Sequence, residues 1–495
     1  MRLNEELREA IENEASKLGL RYHAYHNALD VEYQRLSKRL KTPPSKVVKT
    51  PVEWGVDQKF NPFYVKRHSR AIANAIAKKI IDLRYVPNPP FAKTIPKADG
   101  GTREISVYQI PDAAVSAYFY RSLLRKNRHR FSGYSYAYRD DRNAHFAIQD
   151  ISIDLAQVSR IFVAEYDFSK FFNSICHEYL FEQFHQNGFA ISKRDGAVIK
   201  AFLGASGVGV PQGTSISLFL ANLVCWRLDK GLEQEGLRFA RYADDTVIWS
   251  SEYEKISRAA QMIADFSSQT GVSINSAKSK GVRVLCPDNM PCEFASRTPK
   301  IEFLGYSISV GSVGIKGSSI AKIKRHISYL LYRHLIQPIR GAVLKSLDIP
   351  ANDKDPDLLA ALMSIRRYLY GNLSEEYIAR FLAGGSGRLF YKGVMSFYPL
   401  VSDKLQMQEL DGWLVSQVWK AVRLRGKILH RKWGYDRWHS FPFNLGRSDF
   451  VDSLRNHKVF GKRLYAIPSF VVVCLALRKA VSEGGVLQML ARDEY

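Results

Sequence analysis

The chain opens on an amphipathic helical pattern: "MRLNEELREAIENEASKLGL" alternates charges around apolar positions, which predicts a helix over about residues 1–40. Three prolines in "KTPPSKVVKTPVEWG" (41–55) break it, so a connector or an extended arm belongs there. A second helical pattern, "SRAIANAIAKKIIDLRY" (69–85), stops before "VPNPP". After it, "FAKTIPKADGGTREISVYQI" predicts two strands around the turn Ala98-Asp99-Gly100-Gly101, a basic hairpin whose second strand alternates. From about 111 to 310 helical segments are interrupted by short apolar strands: "RIFVAEYDF" (160–168), "RYADDTVIWS" (241–250), "GVRVLCP" (281–287) and "KIEFLGYSIS" (300–309). That mixture predicts an α+β fold rather than an ordered βαβ series. Beyond 318 helical periodicity dominates to the end, and no internal repeat or low-complexity tract stands out.

Composition narrows the partners. The 495 residues are 46% hydrophobic and 24% charged, a soluble, globular balance with room for two to four domains. Lys and Arg number 72 against 48 Asp and Glu, a formal +24 suited to a polyanion, with nucleic acid ahead of an anionic membrane surface. The longest apolar runs, "FVVVCLAL" (470–477) and "ISLFLANLVCW" (216–226), are too short to span a bilayer, which excludes a membrane protein of the helical kind. The first residues lack the apolar core of a signal peptide, so a cytoplasmic location is expected. Cys176, Cys225, Cys286, Cys292 and Cys474 are odd in number, scattered and without a CxxC pair, which argues against a disulfide framework and a zinc site. His23 and His26, one helical turn apart, have no thiol or carboxylate at ligand spacing.

Two carboxylate sites carry candidate chemistry. In "RYADDTVIWS", Asp244 and Asp245 stand side by side before a β-prone apolar run. They are either an exposed turn, for which Asp is a good former, or a pair that needs a positive partner, since burying ionised carboxylates alone costs several kcal/mol each. In "AEYDFSKFFNSI" (164–175) an apolar strand runs up to Asp167 where a helix begins, so Asp167 is either a helix cap or a second member of the same site. An oxygen-only cluster suits Mg²⁺, with Mn²⁺ as a substitute, and a pair of such ions serves nucleotidyl transfer by activating a hydroxyl and stabilising departing pyrophosphate.

"IPKADGGTREI" (95–105), "GYSYAYRDDRNAH" (133–145), "YDFSKFFNSI" (166–175), "GVPQGTSIS" (209–217), "YADD" (242–245), "GVSINSAKS" (271–279) and "FLGY" (303–306) come in the order and spacing of the fingers and palm blocks of a reverse transcriptase. The resemblance covers about residues 70–310 and implies a right-hand polymerase fold with an antiparallel palm sheet, followed by a helical thumb and C-terminal extension. The divisions expected are 1–68, an N-terminal helical or extended region; 69–310, fingers and palm; 311–400, a thumb-like region; and 401–495, a basic, aromatic-rich helical region. On that resemblance Asp167, Asp244 and Asp245 are catalytic and hold metal, with Asp245 the supporting neighbour. Lys97 and Arg103 resemble the cations that fold over the incoming triphosphate, and Gln212-Gly213 the block that lies against the template and the new base pair. Phe172 stands where the family uses a ring to exclude a ribose 2′-hydroxyl, while Phe171 fits core filling. Lys278 resembles the lysine near the leaving pyrophosphate, and Phe303, Leu304, Gly305 and Tyr306 the primer grip.

Residues 411–463 hold twelve Lys and Arg against four acids, interleaved with Trp and Tyr. They read either as an RNA-binding surface carried by residues such as Arg423, Arg425, Arg431 and Lys432, or as a helical thumb with core tryptophans. Proline is missing after the Gln-Gly of the template block, where group II intron enzymes have it, and the retron elements Asn-Ala-x-x-His and Val-Thr-Gly are absent. What remains resembles the bacterial defence-associated reverse transcriptases of the abortive-infection and unknown groups. That implies an RNA template, a dedicated structured noncoding RNA in particular, with dNTPs as substrates, a DNA product, and room for an oligomer. A mobile-element enzyme of intron or retron type and a non-catalytic RNA-binding scaffold are the alternatives. Priming is left open, with Tyr495 one candidate for protein priming.

Overall fold

The computed structural model describes residues 3–96, 100–341, 344–347, 349–371, 373–385, 389, 391–435, 439–459 and 461–489; Lys97 and Tyr495 lie outside the described residues. The chain divides into two compact units, one of Met1–Val31, Lys46–Ala147 and Ser159–Thr298, the other of Glu32–Ser45, Ile148–Val158 and Pro299–Tyr495.

In the first unit the basic hairpin forms from β1 (Phe91–Pro96) and β2 (Thr102–Val107), antiparallel with Ile95 opposite Arg103. The remaining strands are β3 (Ile161–Tyr166), β4 (Arg238–Tyr242), β5 (Asp245–Ser250), β6 (Gly281–Leu285) and β7 (Arg297–Thr298), in the sheet order β4-β5-β3-β6-β7. All neighbours are antiparallel except β6 and β7. β3 sits in the centre because "IFVAEY" has almost no polar face to give to solvent, and all its residues but Phe162 are buried. The helix Tyr253–Thr270 packs on the sheet with Ile256, Ala259, Ile263 and Phe266, a 3–4 spacing that lays one stripe on one face. The run "ISLFLANLV" is a helix, Ile216–Val224, buried on every side, which is why it is apolar all round. Among the described residues no helix is long and apolar enough to cross a membrane. The first helix spans Leu3–Arg39 as predicted, whereas the second begins at Pro62 rather than Ser69: Asn61 caps it by accepting from the Phe63 amide, and Pro62 takes the first helical position.

The second unit holds the sheet β8 (Ile301–Phe303), β9 (Tyr306–Ser309) and β10 (Ser312–Ile315), in the order β10-β9-β8. "KIEFLGYSIS" is therefore two strands, split at Leu304-Gly305, both with left-handed φ of 48° and 84°, the pattern of a two-residue hairpin turn. The edge of β10 is closed by side chains from the start of the long helix Lys404–Trp433: Gln406 accepts from the Ile315 amide at 2.7 Å and donates to its carbonyl at 3.0 Å. Beyond β10 the described residues of the unit are helical or irregular, including Gly317–Leu331, Pro356–Tyr370 and Phe470–Met489, as the periodicity predicts. The expected α+β architecture with a largely antiparallel sheet thus stands.

One expectation fails here. Arg425 has no exposed surface, and its guanidinium lies 3.2 Å from Asp355 and 3.0 Å from Asp357. It also donates to the Leu335 carbonyl at 3.3 Å, beside the π-helical turn Tyr332–Ile336 that breaks the regular ladder. Asp357 takes a second cation from Arg39 at 2.8 Å, and Asp355 caps the helix Pro356–Tyr370. A side chain enclosed in this way cannot reach a phosphate, so Arg425 is a structural ion-pair partner and not part of an RNA-binding surface. Removing it leaves two buried carboxylates under-neutralised. Arg425→Ala should therefore lower the unfolding free energy by about 3–5 kcal/mol, against within about 0.5 kcal/mol for exposed Arg431→Ala, as read by urea denaturation. Equal effects of the two substitutions would refute the assignment.

Candidate active site

Asp167 is the residue after β3, and the loop 273–279 is zipped onto it. Asn275 N donates to the Asp167 carbonyl at 2.8 Å, Asn275 Nδ2 to Asp167 Oδ2 at 2.8 Å, and the Asp167 amide to Ser279 Oγ at 3.0 Å. Ser169 N donates to the Ser273 carbonyl at 2.8 Å, so the clamp extends past the carboxylate on both sides. Lys278 Nζ stands 3.7 Å from Asp167 Oδ2 with its side chain largely exposed. Asn275 and Ser279 are site residues that the sequence reading passed over; their signal was position, since they flank Lys278 inside the quoted "GVSINSAKS".

Asp244 occupies the two-residue turn between β4 and β5, after Ala243, whose φ of 60° is left-handed. The β3–β5 register pairs Tyr166 with Thr246, so the next step along both strands brings Asp167 to the end of the sheet that carries Asp244 and Asp245. Burial pushes the Asp244 carboxyl above the ordinary aspartate value, and the charge of Asp167 adds to the rise, against the opposing pull of Arg103 and Lys278. Asp245, first residue of β5, is exposed.

The fingers hairpin is tethered to the same place. Arg103 Nε donates to Gln212 Oε1, and Gln212 Nε2 donates to Asn173 Oδ1 at 2.7 Å, a chain that ties β2 to the segment following Asp167. The Gln212 carbonyl accepts from the Ser106 amide at 2.8 Å, and Gly213 follows with φ of 111°, where a Cβ would collide with the Ser106 carbonyl oxygen. Glycine is thus required at 213 by both dihedral and close approach. Phe172 is 8% exposed and meets Tyr138 edge-on at 6.5 Å, while Phe171 is enclosed against Phe168. Burial and the nearby Asp244 push the Tyr138 hydroxyl up to about 12.

Most of the other expected site residues belong to the second unit. Phe303 and Tyr306 are buried in the second unit, with Tyr306 Oη donating to the Phe397 carbonyl at 3.0 Å, and only Leu304 and Gly305 reach its surface. Arg423 is half-buried and donates to the Phe443 carbonyl at 2.9 Å, whereas Arg431 and Lys432 are exposed. Trp433 is anchored through Nε1 to the Ile339 carbonyl at 3.1 Å, and Tyr435 is buried. Lys97 lies outside the described residues.

Among the described residues no three His, Cys, Asp or Glu side chains gather as a metal-ligating group. What Asp167 and Asp244 provide is an oxygen-only pair of mutually repelling carboxylates at one end of the sheet. That donor set fits a hard divalent cation such as Mg²⁺, which is bound by one or two carboxylates and completes its shell with water and phosphate oxygens.

Residues 95–308 match the family model described as reverse transcriptase (RNA-dependent DNA polymerase). The chain is 26% identical over 173 residues to retron Ec86 reverse transcriptase of Escherichia coli, covering 34% of this chain and 49% of that protein. It is 23% identical over 191 residues to protein YkfC of Escherichia coli strain K12, covering 36% and 49% respectively. The chain thus spans about half the length of these curated relatives. Among solved structures it is similar to apo telomerase from Candida tropicalis, with a TM-score of 0.37, 11% identity and coverage of 93% of this chain and 72% of that one. The telomerase from Candida albicans solved with a fragment of telomeric RNA gives a TM-score of 0.36, 12% identity and coverage of 81% and 70%.

The raised Asp244 pKa has a stability consequence whose sign follows from linkage. A carboxyl with a folded pKa above its unfolded one costs stability while ionised, and the cost disappears as pH falls through the folded value. In EDTA-containing buffer, Asp244→Asn should raise the thermal midpoint at about pH 7, with the gain shrinking toward about pH 4 as the wild-type carboxyl protonates. Calorimetry at the two pH values checks this; a lowered midpoint at pH 7 would mean that the backbone hydrogen bond to the carboxylate, with Arg103 and Lys278, outweighs burial and repulsion.

Proposed function

We propose that this chain, whose residues 95–308 form a reverse transcriptase domain, is an RNA-templated DNA polymerase. The observation that carries the reading is the pairing of Asp167, held by the loop 273–279, with Asp244 in the β4–β5 turn, beside the cations Arg103 and Lys278. Asp167 and Asp244 would hold Mg²⁺, or Mn²⁺ in its stead, which when bound supplies Lewis acidity toward the triphosphate and the attacking hydroxyl. Arg103, with Lys97, binds the triphosphate of the incoming nucleotide, and its tether to Gln212 fixes the hairpin over the new base pair. Lys278 carries charge, and a transferable proton, beside the leaving pyrophosphate. Phe172 excludes the 2′-hydroxyl of a ribonucleotide, and Leu304-Gly305, between Phe303 and Tyr306, holds the primer end. Asp245 supports the turn as the neighbour of Asp244.

In this reading fingers and palm cover 69–310, the thumb-like region 311–400, and the C-terminal region 401–495. The template is a structured noncoding RNA, bound in part by the C-terminal region, and the role is bacterial antiphage defence. A net charge of +24 supports an RNA partner, as does the helix Lys404–Trp433, on which Lys420, Lys427 and Arg431 are exposed at a spacing of seven and four residues that sets them in one stripe. The likeness to retron Ec86 reverse transcriptase keeps a retron-type element as the second reading. Sequencing of the RNA and DNA that copurify with the chain tests both readings, because it identifies the template and the product.

Asp244→Asn should lower dNTP incorporation on a primed RNA template by about 10³-fold or more while leaving RNA binding in place. Wild-type synthesis by that variant would end the catalytic reading. Sugar choice is a separate test: Phe172→Ala should raise ribonucleotide over deoxyribonucleotide incorporation by about an order of magnitude. Unchanged selectivity in single-nucleotide extension would move the gate to another ring.

A further inference from the structure

Arg241 stands three residues before Asp244 and has no exposed surface. All five of its guanidinium N–H donors find acceptors. Nε and Nη2 bind the Asp229 carboxylate at 2.7 and 2.6 Å, and Nη2 also reaches Ser135 Oγ at 2.7 Å. Nη1 donates to Asn222 Oδ1 at 3.3 Å and to the backbone carbonyl of Ala243 at 3.1 Å. Asp229 is as buried as its partner, so the pair is closed to solvent and takes no part in binding ligand.

The Ala243 contact gives this network a purpose beyond packing. Ala243 holds a left-handed φ of 60°, a conformation that L-residues other than Asn and Asp avoid, and its carbonyl belongs to the peptide that leads directly into Asp244. The main chain of Arg241 is pinned as well: its amide donates to the Tyr134 carbonyl at 3.0 Å, and its carbonyl accepts from Tyr136 N at 2.9 Å. Tyr138, two residues further, is the ring that meets Phe172. We propose that the Arg241–Asp229 pair is a positioning device for Asp244: the guanidinium grips the Ala243 carbonyl, fixes the left-handed turn, and sets both the carboxylate and the 134–138 segment beside it. The planar fork is essential, because four acceptor oxygens from Asp229, Ser135 and Asn222 aim it at the fifth, the Ala243 carbonyl; a lysine ammonium cannot hold that geometry.

The kinetic test of this inference rests on the polymerase reading, whereas its metal-binding test does not. Arg241→Lys should lower kcat by about 10²-fold with the dNTP KM within about 3-fold, the signature of a misplaced group rather than lost binding. Mn²⁺ titrated into the full chain and followed by the EPR signal of the free ion should bind about 10-fold more weakly to the variant, since two carboxylates no longer converge. Arg425→Lys, which alters the other buried pair, should cost stability yet leave Mn²⁺ affinity within about 2-fold. If Arg241→Lys does not fold, Ser135→Ala carries the test: by removing one acceptor that aims the guanidinium, it should weaken Mn²⁺ binding by about 3-fold or more. Wild-type Mn²⁺ affinity in a folded Arg241→Lys, or in Ser135→Ala where the lysine variant fails, overturns the inference, as does a wild-type chain that binds no Mn²⁺. A wild-type chain that binds Mn²⁺ but incorporates no nucleotide overturns the polymerase reading and leaves the positioning role to the EPR result.

Discussion

Two like charges must be held together in partly buried surroundings, and much of the first unit is shaped by that constraint. Asp167 and Asp244 come from segments far apart in sequence, and no local preference would bring them together. What does so is the register of β3 against β5, fixed by two apolar strands with no polar face to offer solvent. A slip of one residue would exchange the two packed faces of β3 and move Asp167 out of line with the β4–β5 turn, so the packing that specifies the register also specifies which carboxylates meet. The apolar core thereby supplies the energy that opposes the desolvation and repulsion raising the Asp244 pKa.

Once the carboxylates are set, the surrounding polar groups form two separate supports. The loop 273–279 fixes Asp167 through its own backbone and through the Asn275 amide. Asp244 receives no such side-chain bond from that loop; its turn is gripped from behind by Arg241. Among the described residues the third element, the β1–β2 hairpin, is tied to the site by the Arg103–Gln212–Asn173 chain, the Ser106 amide on the Gln212 carbonyl and the close approach at Gly213.

What was legible in the sequence follows from this division. Strands and helices with strong periodicity, such as β3 and the first helix, appear where the pattern puts them, because burial on one face is a local signal. The start of the second helix was misjudged because its cap, Asn61-Pro62, precedes the apolar repeat by several residues. Asp167, Asp244, Arg103 and Gln212 were legible because they sit in recognisable blocks. Arg241 stood in the same quoted stretch as Asp244 and said nothing of its role, since its partners Asp229, Asn222 and Ser135 are joined to it only by the fold.

The same limit explains the arginine that was misread. Arg425 and Arg431 lie six residues apart in one basic stretch, and from composition each looks equally ready for a phosphate. A guanidinium suits a buried carboxylate for the reason it suits a phosphate: a planar fork of donors and a charge that survives desolvation. Sequence therefore reports the chemistry of the side chain but not which anion it faces. Burial decides, and it assigns Arg425 to Asp355 and Asp357 while leaving Lys420, Lys427 and Arg431 on the exposed side of the same helix. Some of the basic side chains of this chain are thus paired internally and add nothing to its net charge, and only those left on an outer face are open to an external anion.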